Sequence, residues 1–205
     1  MTPHFWNDAV KHLSEKDKVL KNIIESYSGE ALMQRSNGFY TLTRSIIGQQ
    51  ISVKAAASVW YKLREKLDEI TPEKLLCLDD DELRKCGLSA RKIRYIQGVA
   101  EYFVENEDRV NSWHAMADEN VLSELTALHG IGRWTAEMFL IFYLARPDVF
   151  PLADIGLQKA MFKHYNNDKE IPKEKLVKIA NNWQPYRSVA TWYLWRSLDP
   201  EPVAY

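Results

Sequence analysis

Apolar residues recur at three- and four-residue steps along nearly the whole chain, a period that leaves little except α-helix to fold into. Ala56, Trp60, Leu63 and Leu67 follow it, as do Ile93, Ile96, Ala100 and Phe103, and later Leu176, Ile179 and Trp183. No useful length alternates between apolar and polar residues as a half-buried strand would. Helix punctuation is frequent. Thr71 before Pro72 predicts an N-cap with proline at the first helical position. Asp79 with Glu82 three residues on predicts a capping box, Gly87 a C′ glycine, and Ser89 a cap for the helix carrying Ile93 and Phe103. The expected fold class is all-α, built from many short helices.

Composition narrows what such a helical chain can do. With 46% hydrophobic and 27% charged residues in 205, it can bury a core without a disulfide or metal staple. Cys77 and Cys86 match neither a disulfide framework nor a four-ligand zinc or iron–sulfur site. A net charge of -1 excludes binding by bulk positive charge but not by a local patch. Leu83 to Ala100 holds Arg84, Lys85, Arg91, Lys92 and Arg94 and no acid. That cluster serves either as a solvated helix face or, around its Gly-Leu-Ser turn, as a phosphate contact. The first residues show no basic segment followed by an apolar one, so no signal peptide is expected. The longest aliphatic and aromatic run, Met138 to Ala145, is far short of the roughly 20 residues a membrane helix needs. No membrane partner is expected, and an intracellular location is, cytoplasmic (nucleoid-associated) or nuclear. Seven tryptophans and ten tyrosines exceed what an ordinary core needs.

The most informative stretch is Leu125-Thr126-Ala127-Leu128-His129-Gly130-Ile131-Gly132-Arg133-Trp134-Thr135-Ala136. A helical segment ends, two glycines flank one apolar residue, and an apolar helix resumes through Met138, Phe139, Ile141 and Phe142. Paired glycines allow a tight turn, and they let a foreign surface approach the backbone. The amides opening the second helix suit a phosphate. A plain αα-hairpin accounts for the glycine pair equally well.

Four blocks together resolve this. The Gly130–Ala136 run resembles the helix-hairpin-helix of the base-excision DNA glycosylase superfamily, and within it the 3-methyladenine DNA glycosylase II family. Val149-Phe150-Pro151-Leu152-Ala153-Asp154-Ile155-Gly156-Leu157-Gln158-Lys159 resembles the Gly/Pro-rich loop that delivers the family's aspartate. Ile46-Ile47-Gly48-Gln49-Gln50-Ile51-Ser52-Val53-Lys54 and Trp183-Gln184-Pro185-Tyr186-Arg187-Ser188-Val189-Ala190 agree with it. The resemblance implies two helical lobes with the active site in the cleft between them, in a compact form without the N-terminal β domain of longer relatives. The expected domains are 39–145, ending in the hairpin, and 1–38 together with 146–205, completed by both termini.

The resemblance also assigns residues. Asp154 becomes the catalytic carboxylate, although an Asp after a proline-containing loop is also a helix N-cap. Cleaving an N-glycosidic bond builds oxocarbenium charge on the sugar, which a fixed anion stabilises. An alkylated purine is already cationic and leaves without prior protonation, so one carboxylate suffices, unlike sugar–sugar cleavage. Trp134, Met138 and Trp195 are expected to line the base pocket, the indoles attracting a cationic ring. Relatives that also cleave the strand carry lysine at the position of Trp134; tryptophan forms no Schiff base. The target base must leave the stack, and Gln50 aligns with the side chain that fills the gap, where the longer bacterial enzyme is apolar. Gln49, Gln50, Ser52, Lys54, His129, Gly130, Ile131, Gly132 and Thr135 are the expected DNA-binding set. His129 stands where relatives often have proline. No cofactor is required, but the resemblance implies a structural sodium or potassium ion on the main-chain carbonyls of Thr126, Leu128 and Ile131. The expected activity is monofunctional excision of alkylated purines from double-stranded DNA by a monomer. The alternatives are a same-fold glycosylase for deaminated or oxidised bases, a non-catalytic helix-hairpin-helix DNA-binding protein, or a helical protein–protein module.

Overall fold

The computed structural model describes residues 1–198. The end of the second expected domain, residues 199–205, lies outside the described residues. Those described form thirteen α-helices, one 3-10 turn and no strand. In chain order they are α1 (Trp6–Lys16), α2 (Lys18–Ser26), α3 (Gly38–Gly48), α4 (Val53–Lys66), α5 (Pro72–Leu76), α6 (Asp80–Lys85) and α7 (Ala90–Glu105). Then come α8 (Glu107–Ser112), the 3-10 turn Trp113–Ala115, α9 (Asp118–Ala127), α10 (Arg133–Phe142), α11 (Ile155–Asn166), α12 (Lys173–Asn181) and α13 (Arg187–Arg196).

Local chemistry sets most of these boundaries. Thr71 accepts the Lys74 N–H at the start of α5, with Pro72 behind it. Asp79 and Glu82 form a reciprocal capping box on α6. Gly87, at φ +99°, closes that helix, its N–H on the Arg84 carbonyl and the Leu88 N–H on that of Leu83. Ser89 caps α7, Ser52 caps α4 and Asp154 caps α11.

The chain separates into two compact units, with the division inside α10. Residues 1–34 with 140–198 make one. Its centre is α13, buried at every position from Ser188 to Arg196 and packed by α1, α2 and α11. Asp17 ties this unit together. One carboxylate oxygen caps α2 through the Val19 and Leu20 N–H groups; the other accepts from Tyr165 Oη and Trp183 Nε1 at 2.8 and 2.9 Å. Residues 35–139 make the other unit, organised on α7, which α3, α5, α6 and α8 pack against. Its Ile93, Ile96, Val99 and Ala100 are buried, and Phe39, Phe103, Trp113 and Phe139 form a chain of edge-to-face rings. Among the described residues no helix is long and apolar enough to cross a membrane.

Candidate functional site

In the unit of residues 35–139, α9 and α10 form a hairpin whose turn is held from three sides. The Leu128 N–H donates to the Leu125 carbonyl and the Ile131 N–H to that of Leu128. Ile131 is buried and anchors the turn. Tyr95 of α7 packs against Gly130, and its ring meets His129 edge-on at 5.0 Å. Gly130 has φ +91°, and a Cβ there would fall on the Tyr95 ring atoms. Gly132 differs: its φ is ordinary, it is exposed, and beyond its own and the two adjacent residues no heavy atom lies within 4 Å of where its Cβ would be. One glycine is demanded by the fold; the other leaves its backbone open.

The turn between α3 and α4 is bonded to this hairpin. Gln49 donates its side-chain amide to the Gly130 carbonyl at 3.1 Å, across 81 residues of sequence. Gln50, exposed, occupies the left-handed region at φ +57°, uncommon for a residue with a side chain. Its Oε1 accepts from the Arg91 guanidinium at 3.0 Å. Ile51 is exposed, and the Ser52 hydroxyl caps α4 by accepting the Ala55 N–H. Lys54 is exposed one turn on. Lys92 is half-buried, and its ammonium donates to the Ile47 carbonyl at 2.6 Å. Arg84 pairs with Asp80 and Asp81 on its own helix. Part of the basic cluster is therefore engaged by the protein itself. A concavity of about 390 Å³ lies between turn and hairpin, bounded by Gln49, Gln50, Arg91, Tyr95, His129 and Gly132 among others.

In the unit of residues 1–34 with 140–198, Asp154 is 5% exposed and caps α11. Its Oδ1 accepts the Leu157 N–H at 2.6 Å and the Trp195 indole N–H at 2.8 Å. The positive end of α11 lies under the carboxylate, and charge-assisted hydrogen bonds offset its desolvation. The Trp195 ring stacks on Phe142 at 6.1 Å and 11°. The loop is tied by the Asp154 N–H on the Pro151 carbonyl and by Gln158 Nε2 on that of Leu152. The result is an aspartate held in one orientation.

The expected pocket residues divide. Six of the seven tryptophans are buried, so the aromatic excess is mostly core; Trp134 is half-buried and keeps accessible surface. Trp195, 2% exposed, has no face left for a ligand: it orients Asp154 through its N–H instead of lining a pocket. Met138 is fully buried in the core and lines no open surface either. In the expected DNA-binding set, Gln50, Ser52, Lys54, His129 and Gly132 are exposed, and Gln49 and Gly130 are half-buried. The side chains of Ile131 and Thr135 point inward, leaving only main chain to offer. Of the expected carbonyl set, Thr126 lies in the last turn of α9 and turns its hydroxyl back to the Leu122 carbonyl; Leu128 and Ile131 lie in the turn.

Period and spacing do not single out Gly156. A Cβ there would sit 3.2 Å from Asp154 Oδ1 and 3.5 Å from the Trp195 ring. Glycine in a helix forgoes about 1 kcal/mol relative to alanine, and that is the one signal the sequence offers for it. Ile155 is equally silent in the sequence, yet its apolar side chain is 69% exposed directly after Asp154.

Comparison with known proteins bears on both segments. Residues 43–185 match the model of the HhH-GPD superfamily base excision DNA repair proteins. A DNA-3-methyladenine glycosylase of Saccharomyces cerevisiae is 31% identical over 234 residues, 93% of this chain and 79% of that protein. The crystal structure of a DNA-3-methyladenine glycosidase from Bacillus halodurans superposes with a TM-score of 0.82 at 35% identity, over 94% of this chain and 89% of that one. A Schizosaccharomyces pombe 3-methyladenine DNA glycosylase, solved in complex with abasic DNA, gives 0.81 at 28% identity, over 97% and 100%.

Proposed function

Because the chain belongs to the HhH-GPD superfamily of base excision DNA repair proteins, we propose that it is a monofunctional DNA glycosylase for alkylated purines of the 3-methyladenine and 7-methylguanine type. It flips the damaged base out of the duplex, hydrolyses the N-glycosidic bond and leaves an abasic site. The observation that carries this reading is Asp154, a nearly buried carboxylate held by two N–H donors. As the bond to the sugar breaks, its electron pair neutralises the cationic purine and positive charge passes to the sugar. A fixed anion stabilises that charge without reorganising at the moment of reaction. The same carboxylate orients the water that adds to the sugar carbon. Trp134 supplies an aromatic face for an electron-poor ring, worth about 1–2 kcal/mol in a desolvated setting.

The hairpin and the α3–α4 turn hold the DNA in this reading. The Gly130 and Gly132 amides meet a phosphate, with His129 beside them, while the Ile131 N–H stays on the Leu128 carbonyl and holds the turn. Lys54 meets a phosphate from the start of α4, and Gln50 enters the space the base vacates. The main-chain carbonyls of Thr126, Leu128 and Ile131 suit a sodium or potassium ion: Thr126 lies in the last turn of α9 and the other two in the hairpin turn, and a carbonyl oxygen keeps a second lone pair for a cation even where, as at Leu128, it already accepts an N–H. Such an ion would add positive charge beside a phosphate. The enzyme acts as an intracellular monomer on double-stranded DNA and needs no cofactor for bond cleavage.

The test is base release from DNA treated with a methylating agent, with the products separated by chromatography. Free alkylated purines and an intact abasic strand are expected, and borohydride should trap no protein–DNA adduct because Trp134 offers no amine. Release of only oxidised or deaminated bases would reassign the substrate; efficient trapping would reveal a lysine nucleophile and end the monofunctional assignment.

A further expectation concerns Trp195. Trp195→Phe keeps an aromatic ring on Phe142 but removes the N–H from Asp154. Hydrogen bonds to charged groups contribute roughly 1.5–3 kcal/mol. Single-turnover base release should fall about tenfold or more while affinity for an abasic duplex stays unchanged. An equal decrease in binding and turnover would mean that the indole supports the fold and not the carboxylate.

A further inference from the structure

The α3–α4 turn is fixed by more than its own backbone. Ile47 is among the last residues of α3, where carbonyls lack helical donors, and Lys92 places its ammonium on that carbonyl. A cation at the negative end of a helix is favourable, and here it comes from the first turn of α7. Burial, then the neighbouring charge of Arg91, holds the Lys92 ammonium below the usual lysine range. Arg91, on the same turn of α7, reaches the Gln50 side chain, while Gln49 binds the hairpin. Between α7 and the turn lies a space of about 190 Å³ bounded by Ile47, Gln50, Ile51, Val59 and Leu88 among others. Gln50 keeps its left-handed backbone within this frame, and such conformations persist where the surroundings over-determine them.

We propose that Lys92 and Arg91 are positioning residues of the Gly48–Ser52 turn, not phosphate ligands, and that they set how fast a base is extruded, not how tightly DNA is held. The proposal rests on the reading above, in which this turn enters the duplex. Lys92 fixes the end of α3 from which the turn departs. Arg91 fixes the direction of the Gln50 side chain. Both act through the turn, and neither touches the reacting atoms.

A phosphate ligand and a brace differ in salt dependence. Removing one phosphate ligand from a protein on B-DNA lowers the slope of log affinity against log salt by about 0.9. The full chain carrying Lys92→Met or Arg91→Met, each keeping an unbranched stem, is compared with the wild type in three measurements. Amide exchange at Gln49, Gln50 and Ile51 is read in the free protein. Affinity for an abasic-analogue duplex is titrated at several salt concentrations. Extrusion is followed by the fluorescence of 2-aminopurine beside a methylated base. Faster exchange, an unchanged salt slope and extrusion slowed about tenfold, the scale of one charge-assisted hydrogen bond, are expected. Any other pattern overturns the proposal, most directly a slope reduced by about 0.9 with unchanged exchange. Arg91 is exposed, so Arg91→Met decides the matter even where Lys92→Met does not fold. Wild-type protein that releases no base from methylated DNA would refute the glycosylase reading, while the exchange comparison would still report on the brace.

Discussion

Asp154→Asn is expected to lower single-turnover base release by on the order of 10²–10³, the usual effect of removing one electrostatic interaction with a charged transition state. The substitution keeps the cap while removing the charge. Oδ1 accepts from Leu157 N–H and Trp195 Nε1–H, and an asparagine Oδ1 accepts both in the same geometry. Asn is also as good an N-cap as Asp, so α11 should keep its start and the thermal midpoint should barely move. What disappears is the anion beside the sugar. Affinity for an abasic duplex should hold or rise, since a negative charge near the DNA backbone is gone. Calorimetry, duplex titration and single-turnover kinetics on one preparation check all three. Near-wild-type turnover in a folded Asp154→Asn would remove Asp154 from the mechanism.

How much of the molecule is legible in the sequence follows the range of each interaction. Thr71, Asp79, Gly87 and Ser89 can be read directly because a cap is decided within a few residues, and the structure has each in its expected role. The hairpin glycines are visible as a pair, but nothing local separates Gly130, pressed on Tyr95, from Gly132, which is open. Trp195 takes its expected place from counting along a matched block. Counting cannot tell a ring offered to a ligand from one sunk in α13 with its N–H on a residue 41 positions away. The basic run Arg84 to Arg94 reads as a solvated face or a phosphate contact. Yet the partners that engage Arg91 and Lys92, Gln50 and the Ile47 carbonyl, lie 41 and 45 residues upstream. Side chains with two possible partners, solvent and the rest of the protein, are assigned by tertiary packing, which period and spacing do not carry.

The two hairpin glycines should fail in opposite ways when replaced by valine. Gly132→Val places its side chain where no atom beyond its own and the adjacent residues lies within 4 Å of the Cβ position, at an ordinary φ, so the fold has no reason to object beyond a β-branched residue beside a helix start. Its cost should fall on whatever must approach that backbone. If the Gly130 and Gly132 amides meet a phosphate, two methyl groups hold it off; forgoing about two charge-assisted hydrogen bonds should weaken abasic-duplex binding about a hundredfold or more. Gly130→Val meets the Tyr95 ring and a left-handed φ together, so it must shift the hairpin against α7 and strain the Gln49 bond to the Gly130 carbonyl. Overpacking costs about 1–3 kcal/mol and the backbone strain a similar amount, so the thermal midpoint should drop by several degrees or more. Thermal unfolding and duplex titration on both variants separate the roles: Gly132→Val stable and unable to bind, Gly130→Val unstable. A stable Gly132→Val with wild-type affinity would show that the open glycine is not where DNA comes close, and the anchor would have to be sought on another face of the same unit.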